Sequence, residues 1–212
     1  MFTGLVEATG TVVSAVRRSG NLRITVQSGT ICAGSQIGAS VAVNGICLTV
    51  VEKKKDIISF DAVSETVLRT TLRLARSGDV VNLERSLRSG DPVGGHFVTG
   101  HIDYEGTITG ARKAPGSATF TVSVPEEKSL YLIEKGSVAV DGISLTVVEA
   151  GKRWFSVCAI PHTLSATTLG KKAAGSAVNI EFDQIGKYVH AAVLKIRPGG
   201  LTEESLRIKG YI

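Results

Sequence analysis

The sequence carries the same segment twice, and this duplication limits the fold more than any other feature. Residues 40–52 read SVAVNGICLTVVE and residues 137–149 read SVAVDGISLTVVE, so eleven of thirteen positions are identical at an offset of 97 residues. Three further pairs of segments match at an offset of 97 or 96 residues: 60–72 with 157–169, 77–84 with 174–181, and 3–12 with 99–108. Self-similarity of this length is the signature of a duplicated unit, and we therefore predict two copies of one domain.

The duplication also indicates the domain boundaries. We expect the first copy to span residues 1–95 and the second to span residues 96–186. The first copy ends in RSGDPVGG, residues 88–95, where Gly and Pro are typical of a linker. Residues 187–212 have no counterpart in the first copy, and we expect them to form a separate tail.

Each copy has the pattern of short β-strands around a tight turn. Alternating apolar residues flank Asn44-Gly45 in the first copy and Asp141-Gly142 in the second. These dipeptides favour a type I′ hairpin, because both central residues of that turn need positive φ. Many short strands in a small domain favour a closed barrel, which leaves no exposed edge. We predict an all-β fold of two small, closed, six-stranded antiparallel barrels with a C-terminal α-helical tail, and one short helix per barrel in TVLRTTL and TLSATTL.

The tail has the pattern of an amphipathic helix. Residues 184–197 place five apolar side chains on one helical face: Ile185, Val189, Ala192, Val193 and Ile196. Pro198-Gly199-Gly200 would end this helix, and Thr202 would cap a second short one. Because two complete barrels leave this apolar face without a partner, we expect it to pack on another subunit.

Composition excludes several classes of protein. The net charge is +5, from 24 basic and 19 acidic residues, without the basic stripe of a nucleic-acid binder. No apolar run approaches the length of a membrane span, and MFTGLVEATG does not resemble a secretory signal. An odd set of three cysteines, Cys32, Cys47 and Cys158, indicates free thiols in a reducing compartment. We expect a cytoplasmic protein that binds neither nucleic acid nor membrane.

The few differences between the copies involve chemically active side chains. In the most similar block Asn44 corresponds to Asp141 and Cys47 to Ser144, and near the start of each copy Leu5 corresponds to His101. Two pockets of similar shape with different reactive groups would show this pattern. Strand alternation places Ile46, Leu48 and Val50 on one face, and it places Cys47 and Thr49, like Ser144 and Thr146, on the other.

Ordinary structural roles remain open for these residues. A free cysteine such as Cys47 is most often a small buried hydrophobe, and a lone His101 is most often structural. A zinc site at His96 and His101 is disfavoured, because residues five apart on a strand point to opposite faces and no third ligand is spaced near them. We expect no metal and no cofactor.

Five segments resemble the riboflavin synthase family: MFTGLVE, GGHFVTGHID, NGICLTV, DGISLTV and IGKYV. The resemblance covers the whole chain. It implies that two molecules of 6,7-dimethyl-8-ribityllumazine give riboflavin and 5-amino-6-(D-ribitylamino)uracil by transfer of a four-carbon unit. It also implies a homotrimer with the active site between subunits, and it leaves an association with lumazine synthase open.

The resemblance implies site residues in both copies. Cys47, His101 and Ser144, supported by Asp141, are the candidates for catalysis. The first pocket would be formed by Phe2, Gly4, Leu5, Val6, Ser40, Cys47, Leu48, Thr49, Asp61, Ala62, Val63, Ser64, Glu65 and Thr66. The second would be formed by Gly100, His101, Ile102, Lys135, Ser144, Leu145, Thr146, Ala159, Ile160, Pro161, His162, Thr163, Leu164 and Asp183.

Two other functions fit parts of the pattern. Lumazine-binding fluorescent proteins share the two-barrel shape without catalysis, but they depart from the synthase pattern in the segment that here reads TGHID and at the serine of the second block. An oligonucleotide-binding barrel would need stacking aromatic side chains, and only 5% of the residues are aromatic. The synthase function is therefore favoured.

Overall fold

A computed structural model describes residues 1–195, 203–208, 210 and 211. Twelve strands form two separate barrels. The first barrel contains β1 (Ala8–Arg18), β2 (Asn21–Gln27), β3 (Ser40–Val43), β4 (Ile46–Lys54), β5 (Ile57–Ala62) and β6 (Val80–Arg85). The second contains β7 (Tyr104–Ala114), β8 (Ser117–Ser123), β9 (Ser137–Val140), β10 (Ile143–Ala150), β11 (Trp154–Ala159) and β12 (Ala177–Phe182).

Both barrels have one topology. The first closes in the order β1-β2-β5-β4-β3-β6, and the second has the corresponding order β7-β8-β11-β10-β9-β12, with antiparallel pairing throughout. Closure gives every strand a neighbour on each side, which protects most of the strand edges from aggregation, although β4 with β5 and β10 with β11 pair over only part of their length. The predicted pair of six-stranded barrels is confirmed.

Alternating side chains fill each barrel. In β2, Leu22, Ile24 and Val26 are at most 1% exposed, and the residues between them are more exposed. In β4 the burial of Ile46, Leu48 and Val50 confirms the predicted alternation. Each such aliphatic side chain contributes about 1.5–3 kcal/mol on burial, so the cores stabilise the strand register.

The two predicted hairpin turns lie back to back between the barrels. Asn44 and Gly45 have φ of 46° and 78°, and Asp141 and Gly142 have φ of 46° and 76°, as a type I′ turn requires. A Cβ on Gly45 would lie 2.7 Å from the backbone nitrogen of Gly142. Glycine is therefore needed at these turns for their close approach as well as for their conformation.

Two buried asparagines join the barrels reciprocally. The side-chain amide of Asn82 donates to the carbonyl of Asp141 and accepts from the backbone N–H of Thr168. Asn179 makes the mirror-image pair, donating to the carbonyl of Asn44 and accepting from the N–H of Thr71. An approximate two-fold axis therefore relates the copies, and we call this contact region the seam.

Helices are short except in the tail. They are α1 (Gly29–Gly34), α2 (Ser64–Arg69), α3 (Glu126–Ser129), α4 (Pro161–Ala166), α5 (Gln184–Lys195) and α6 (Glu203–Ile208). The predicted short helix of each barrel is α2 or α4, each followed by a 3₁₀ turn (Thr71–Leu74 or Thr168–Lys171). Thr70 separates the first pair because its extended backbone interrupts the helix and its hydroxyl caps the turn, accepting from Leu72.

Helix α5 confirms the predicted tail helix, and the described residues leave its apolar face largely uncovered. Ile185, Val189 and Val193 are 57–62% exposed, and Ala192 is also exposed. Ile196, Pro198-Gly199-Gly200 and Thr202, which the sequence placed in this helix, at its end and at the next cap, lie outside the described residues. None of the helices described has the length and hydropathy of a membrane span.

Candidate functional site

Each barrel opens between its fourth and fifth strands in chain order. Strand β4 pairs with β5 from Lys54 and Ile57 to Val50 and Phe60. Among the described residues the pairing ends there, although β4 extends back to Ile46 and β5 continues to Ala62. In the second barrel the register of β10 against β11 ends at Val147 and Val157. We call these openings the first slot, beside Cys47 and Thr49, and the second slot, beside Ser144 and Thr146.

The starts of the two copies cross between the barrels. Phe2 and Val98 pair as an antiparallel bridge, with N···O distances of 2.6 and 3.1 Å. Beyond this bridge, the N–H of Ser144 donates to the carbonyl of Gly4 at 2.7 Å, and the N–H of Cys47 donates to the carbonyl of Gly100 at 2.9 Å. Residues 3–6 therefore lie at the second slot and residues 99–102 at the first, and we call them the crossing segments.

This exchange corrects the grouping of site residues expected from the sequence. Gly4, Leu5 and Val6 were assigned to the first pocket, yet Gly4 contacts Ser144 and Val6 packs on the core of the second barrel. Gly100, His101 and Ile102 were assigned to the second pocket, yet Gly100 contacts Cys47 and Ile102 packs on the first core. The bridge between Phe2 and Val98 is the cause, because it carries each segment past its own barrel.

The first slot combines a thiol with an imidazole. Cys47 is half-buried and packs against the seam cluster of Phe2, Ala42, Val98 and Ala139. Thr49 and His101 are exposed, and His101 directly follows the glycine that lies on Cys47. A Cβ on Gly100, whose φ is 83°, would lie 2.5 Å from the Cβ of Cys47, so only glycine permits this approach.

The far side of the first slot is polar. Asp61 accepts two hydrogen bonds of 2.7 Å from the guanidinium of Arg23, and that bond lowers the pKa of the Asp61 carboxyl. The N–H of Ser64 donates to Asn21, and Glu65 pairs with Arg69. Thr66 is half-buried, whereas Val63 is 61% exposed. A cleft of about 490 Å³ runs along this side and is lined by Val16, Arg18, Asn21, Leu22, Arg23, Asp61, Ala62 and Val63.

The second slot combines a hydroxyl with a buried imidazole. Ser144 is half-buried, and its Oγ lies 2.7 Å from Nδ1 of His96. His96 is 8% exposed, and burial lowers the pKa of its imidazole. Its Nε2 has no hydrogen-bond partner among the described residues. Burial therefore favours the uncharged ring, and in the tautomer that carries its proton on Nε2 the Nδ1 atom accepts from the Ser144 hydroxyl.

The sequence offered no signal for this role of His96. It precedes the matched start of the second copy, so that no residue of the first copy corresponds to it.

The other residues expected around the second slot differ in burial. Leu145 and Ala159 are buried. The rest are exposed or half-buried: Leu5, Thr146, Ile160, Pro161, His162, Thr163 and Leu164.

Asp141 does not face either slot. Its side chain is buried at the seam, where Oδ1 accepts from the N–H of Asn179 and Oδ2 lies 2.8 Å from Nζ of Lys172. Burial raises the pKa of the Asp141 carboxyl, and Lys172 opposes that rise. In the first copy Asn44 makes the same contact to Asn82, and Ala75 corresponds to Lys172. The two copies therefore differ by an ion pair: Asp141 with Lys172 in the second copy takes the place of the uncharged Asn44 and Ala75 in the first. The structure places Asp141 in a structural contact instead of the expected catalytic position.

Several expected binding residues can offer a ligand only their backbone. The side chains of Phe2, Leu48, Ala62, Leu145 and Ala159 are at most 7% exposed.

Three further expected binding residues are accessible to solvent. Ser40 is half-buried opposite Thr49. Lys135 is exposed with φ of 65°, and Asp183 is half-buried at the start of α5, where it accepts from the N–H of Ile185.

Comparison with known proteins decides the family. The model of the lumazine binding domain matches residues 3–86 and 99–183. Riboflavin synthase of Actinobacillus pleuropneumoniae is 39% identical over 195 residues, which cover 92% of this chain and 91% of the relative. Riboflavin synthase of Mycobacterium bovis is 41% identical over 193 residues, which cover 89% and 96%. The chain belongs to the riboflavin synthase family.

The fold of this riboflavin synthase family member also occurs in a solved binding protein. LumP in complex with riboflavin has a TM-score of 0.79 and 26% identity, and the match covers 86% of this chain and 99% of LumP. LumP in complex with 6,7-dimethyl-8-(1'-D-ribityl) lumazine has a TM-score of 0.78 at 23% identity, a likeness of fold alone. Two-barrel chains of this shape therefore include both riboflavin synthases and a protein solved with lumazine and flavin ligands.

The described residues of this riboflavin synthase family member contain no cluster of possible metal ligands. Among residues 1–195, 203–208, 210 and 211, no three His, Cys, Asp or Glu side chains are grouped as metal ligands. The reactive groups at the slots are a thiol, a hydroxyl and imidazoles, which serve nucleophilic and acid–base chemistry.

Proposed function

We propose that this chain is a transferase that converts two molecules of 6,7-dimethyl-8-ribityllumazine into riboflavin and 5-amino-6-(D-ribitylamino)uracil. The observation that carries the proposal is the pair of matched slots with different reactive groups, in a chain whose relatives over most of its length are riboflavin synthases. One lumazine gives a four-carbon unit to the other. The atoms of the two substrate molecules equal those of the two products, so that the step needs no external oxidant or reductant.

The chemistry of the substrate suits a protein that mainly positions it. The 7-methyl group of one lumazine is acidic, because its carbanion delocalises into the ring carbonyls, and C7 of the other lumazine is electrophilic. Holding the two rings face to face supplies much of the rate acceleration through proximity and orientation. Cys47 and His101 in the first slot, and Ser144 with His96 in the second, would add to C7 or move the methyl proton.

The separated strands supply hydrogen-bonding groups for the pyrimidine edge of the ligand. Cys47 directs its N–H away from β3 and toward Gly100, and the alternation of an antiparallel ladder gives Thr49 the same direction. The N–H of Ser144 likewise points to Gly4, and Thr146 follows the same alternation. Since the N–H groups of Cys47 and Ser144 already donate to Gly100 and Gly4, the backbone groups of Thr49 and Thr146, with segments 61–66 and 159–164 opposite, would bind one lumazine in each slot.

The exposure of the slots supports an active site between subunits. Val63 and Ile160 are about equally exposed, at 61% and 60%, and a ring bound beside them in a single chain would keep one face in water. The first slot of one chain placed against the second slot of its neighbour would cover both rings. The exposed apolar face of α5 would hold these chains together as a homotrimer. Association with lumazine synthase and a cytoplasmic location stay predictions.

Incubation of the protein with lumazine alone tests the reaction. We expect two lumazine molecules to disappear for each riboflavin formed, as followed by absorbance and by chromatography of both products. The same rate is expected after treatment with a chelator. Loss of activity on chelation with recovery on adding zinc would contradict a reaction carried by the protein's own side chains.

The same assay distinguishes the alternative function. LumP shares the fold, and a binding protein of that kind would change the fluorescence of lumazine without consuming it. Ser144 and the TGHID segment of residues 99–103 favour the enzyme, because the lumazine-binding fluorescent proteins depart from the synthase pattern at both places. Saturable binding with no riboflavin after prolonged incubation would establish the binding function instead.

A further inference from the structure

We propose that Glu84 and Glu181 are positioning residues that act across the seam, each holding the crossing segment that completes the slot of the other barrel. Glu181 lies on β12 of the second barrel, and its crossing segment lies at the first slot. Glu84 lies on β6 of the first barrel, and its crossing segment lies at the second slot. The importance of these contacts for turnover rests on the proposed function, whereas the contacts themselves do not.

Glu181 holds the segment that covers Cys47. Its Oε1 accepts from the N–H and the hydroxyl of Thr99 at 2.7 and 2.6 Å, and its Oε2 accepts from the N–H of Gly100 at 2.9 Å. The carbonyl of the same Gly100 accepts from the N–H of Cys47. The carboxylate is 1% exposed, so these bonds do not compete with water. One residue, Gly100, thus links Glu181 to the wall of the first slot.

Glu84 repeats this arrangement for the other slot. Its carboxylate accepts from the N–H and the hydroxyl of Thr3 at 2.6 and 2.8 Å and from the N–H of Gly4 at 3.0 Å. The carbonyl of Gly4 accepts from the N–H of Ser144. Burial raises the pKa of Glu84, and the bonds from Thr3 and Gly4 oppose that rise.

Only a carboxylate can make all three bonds. Its two oxygens both accept, and charge-assisted bonds of this kind are stronger than neutral ones. A glutamine of the same shape keeps one acceptor and turns an NH₂ group toward a backbone N–H, which places donor against donor. Replacing Glu181 by Gln should therefore release the crossing segment at Gly100 without changing the volume of the second core.

Because Gly4 and Gly100 pack closely against the slot residues, the release of a crossing segment affects the slot of the opposite barrel. A Cβ on Gly4 would lie 2.7 Å from the Cβ of Ser144, as Gly100 lies against Cys47. Two residues further on, Val6 and Ile102 enter the opposite cores. A crossing segment that shifts by a fraction of an ångström therefore changes the surroundings of Cys47 or Ser144 directly.

Hydrogen exchange of the full chain, resolved to single amides by mass spectrometry, tests the proposal without any ligand. In Glu181→Gln the amide of Cys47 should exchange at least about tenfold faster, because the bond to Gly100 is weakened, and the amide of Ser144 should keep its rate. Glu84→Gln is the matched control and should show the reverse pattern. Equal acceleration of both amides in either variant, or acceleration only within the barrel that carries the substitution, would overturn the proposal.

Two milder variants keep the test decisive if a glutamine variant does not fold. Thr99→Ala and Thr3→Ala each remove one donor to a carboxylate and should give the same crossed pattern with smaller changes. The rate at which iodoacetamide alkylates Cys47, followed in the peptide that contains this residue, should rise in Thr99→Ala and stay unchanged in Thr3→Ala. Turnover is measured separately. A crossed exchange pattern in a protein that forms no riboflavin would retain the positioning role and reject the proposed reaction.

Discussion

The Oγ of Ser144, on β10, lies 2.7 Å from Nδ1 of His96, which shortly precedes the crossing segment of residues 99–102. His96 is fixed there by its own backbone, because its N–H donates to the carbonyl of Thr3 at 3.1 Å. Among the described residues the first slot has no equivalent of this pair, because the imidazole nearest to Cys47 in that slot belongs to His101, which is exposed and follows the Gly100 that contacts Cys47. The two slots therefore differ in the position of the imidazole. They also differ in their reactive group, which is a thiol in the first slot and a hydroxyl in the second.

The pair of Ser144 and His96 should act as one unit in turnover. We expect Ser144→Ala and His96→Gln each to lower kcat at least about tenfold, within the range of a lost acid–base contact. The double variant should be no slower than the slower single variant, because the second change removes nothing that still functions. Binding of lumazine at the first slot, measured by fluorescence titration, should be unchanged. Fully additive losses would mean that the two residues act independently.

The lowered pKa of His96 predicts a pH dependence of stability. A buried neutral imidazole takes up a proton less readily in the folded chain than in the unfolded chain. Its contribution to stability is therefore present above the ordinary histidine pKa of about 6.5 and is lost as the pH falls toward the lower folded-state value. Urea unfolding at fixed protein concentration should show a steeper acid loss for the parent chain than for His96→Gln. Parallel curves would contradict the buried neutral imidazole.

The ion pair of Asp141 and Lys172 should matter for stability and not for chemistry. Lys172→Ala leaves a buried carboxylate without its partner and should cost about 3–5 kcal/mol of unfolding free energy. Adding Asp141→Asn recreates the Asn44 and Ala75 combination of the first copy, and we expect it to recover most of that loss. The double variant should also retain most of its turnover. A double variant that folds normally and is inactive would restore a catalytic role for Asp141.

The sequence predicts the architecture well because the repeat is visible in the sequence itself and the turns are local signals. Asn44-Gly45 and Asp141-Gly142 define hairpins wherever the rest of the chain goes, and alternation assigns Ile46, Leu48 and Val50 to the core. The alignment of the copies also contains a signal for the ion pair, since Lys172 replaces Ala75 where Asp141 replaces Asn44.

The exchange of the crossing segments between the barrels could not be predicted from the sequence. The repeat shows that residues 3–6 and 99–102 are equivalent, but it does not show which barrel each one contacts, because the cores of both barrels accept a similar apolar residue. The choice depends on the bridge between Phe2 and Val98, a contact between copies that periodicity within one copy cannot reveal. His96 could not be found for a related reason, since no position of the first copy corresponds to it.

The apolar face of α5 should hold subunits together. A chain truncated after Asp183 loses Ile185, Val189 and Val193, whose side chains are more than half exposed in a single chain. We expect monomers that still bind lumazine and turn over poorly. The full-length variant Val189→Glu should dissociate in the same way, because it introduces a charge into an apolar contact. Sedimentation velocity measures the outcome, and a truncated chain that remains trimeric would refute the role of the tail.

Replacing Cys47 by Ser tests whether the first slot depends on its thiol. The change makes the first slot equal to the second at this position, and the half-buried site tolerates so small a difference in volume. A thiol is the better nucleophile for an electrophilic ring carbon, so turnover at saturating lumazine should fall at least roughly tenfold, or about 1.4 kcal/mol of transition-state stabilisation. Ser64→Ala is the matched control, because Ser64 is an exposed polar neighbour on the opposite side of the same slot, and it should lose less activity. Full riboflavin formation by Cys47→Ser would show that the thiol only packs against the seam and that orientation of the two rings carries the reaction.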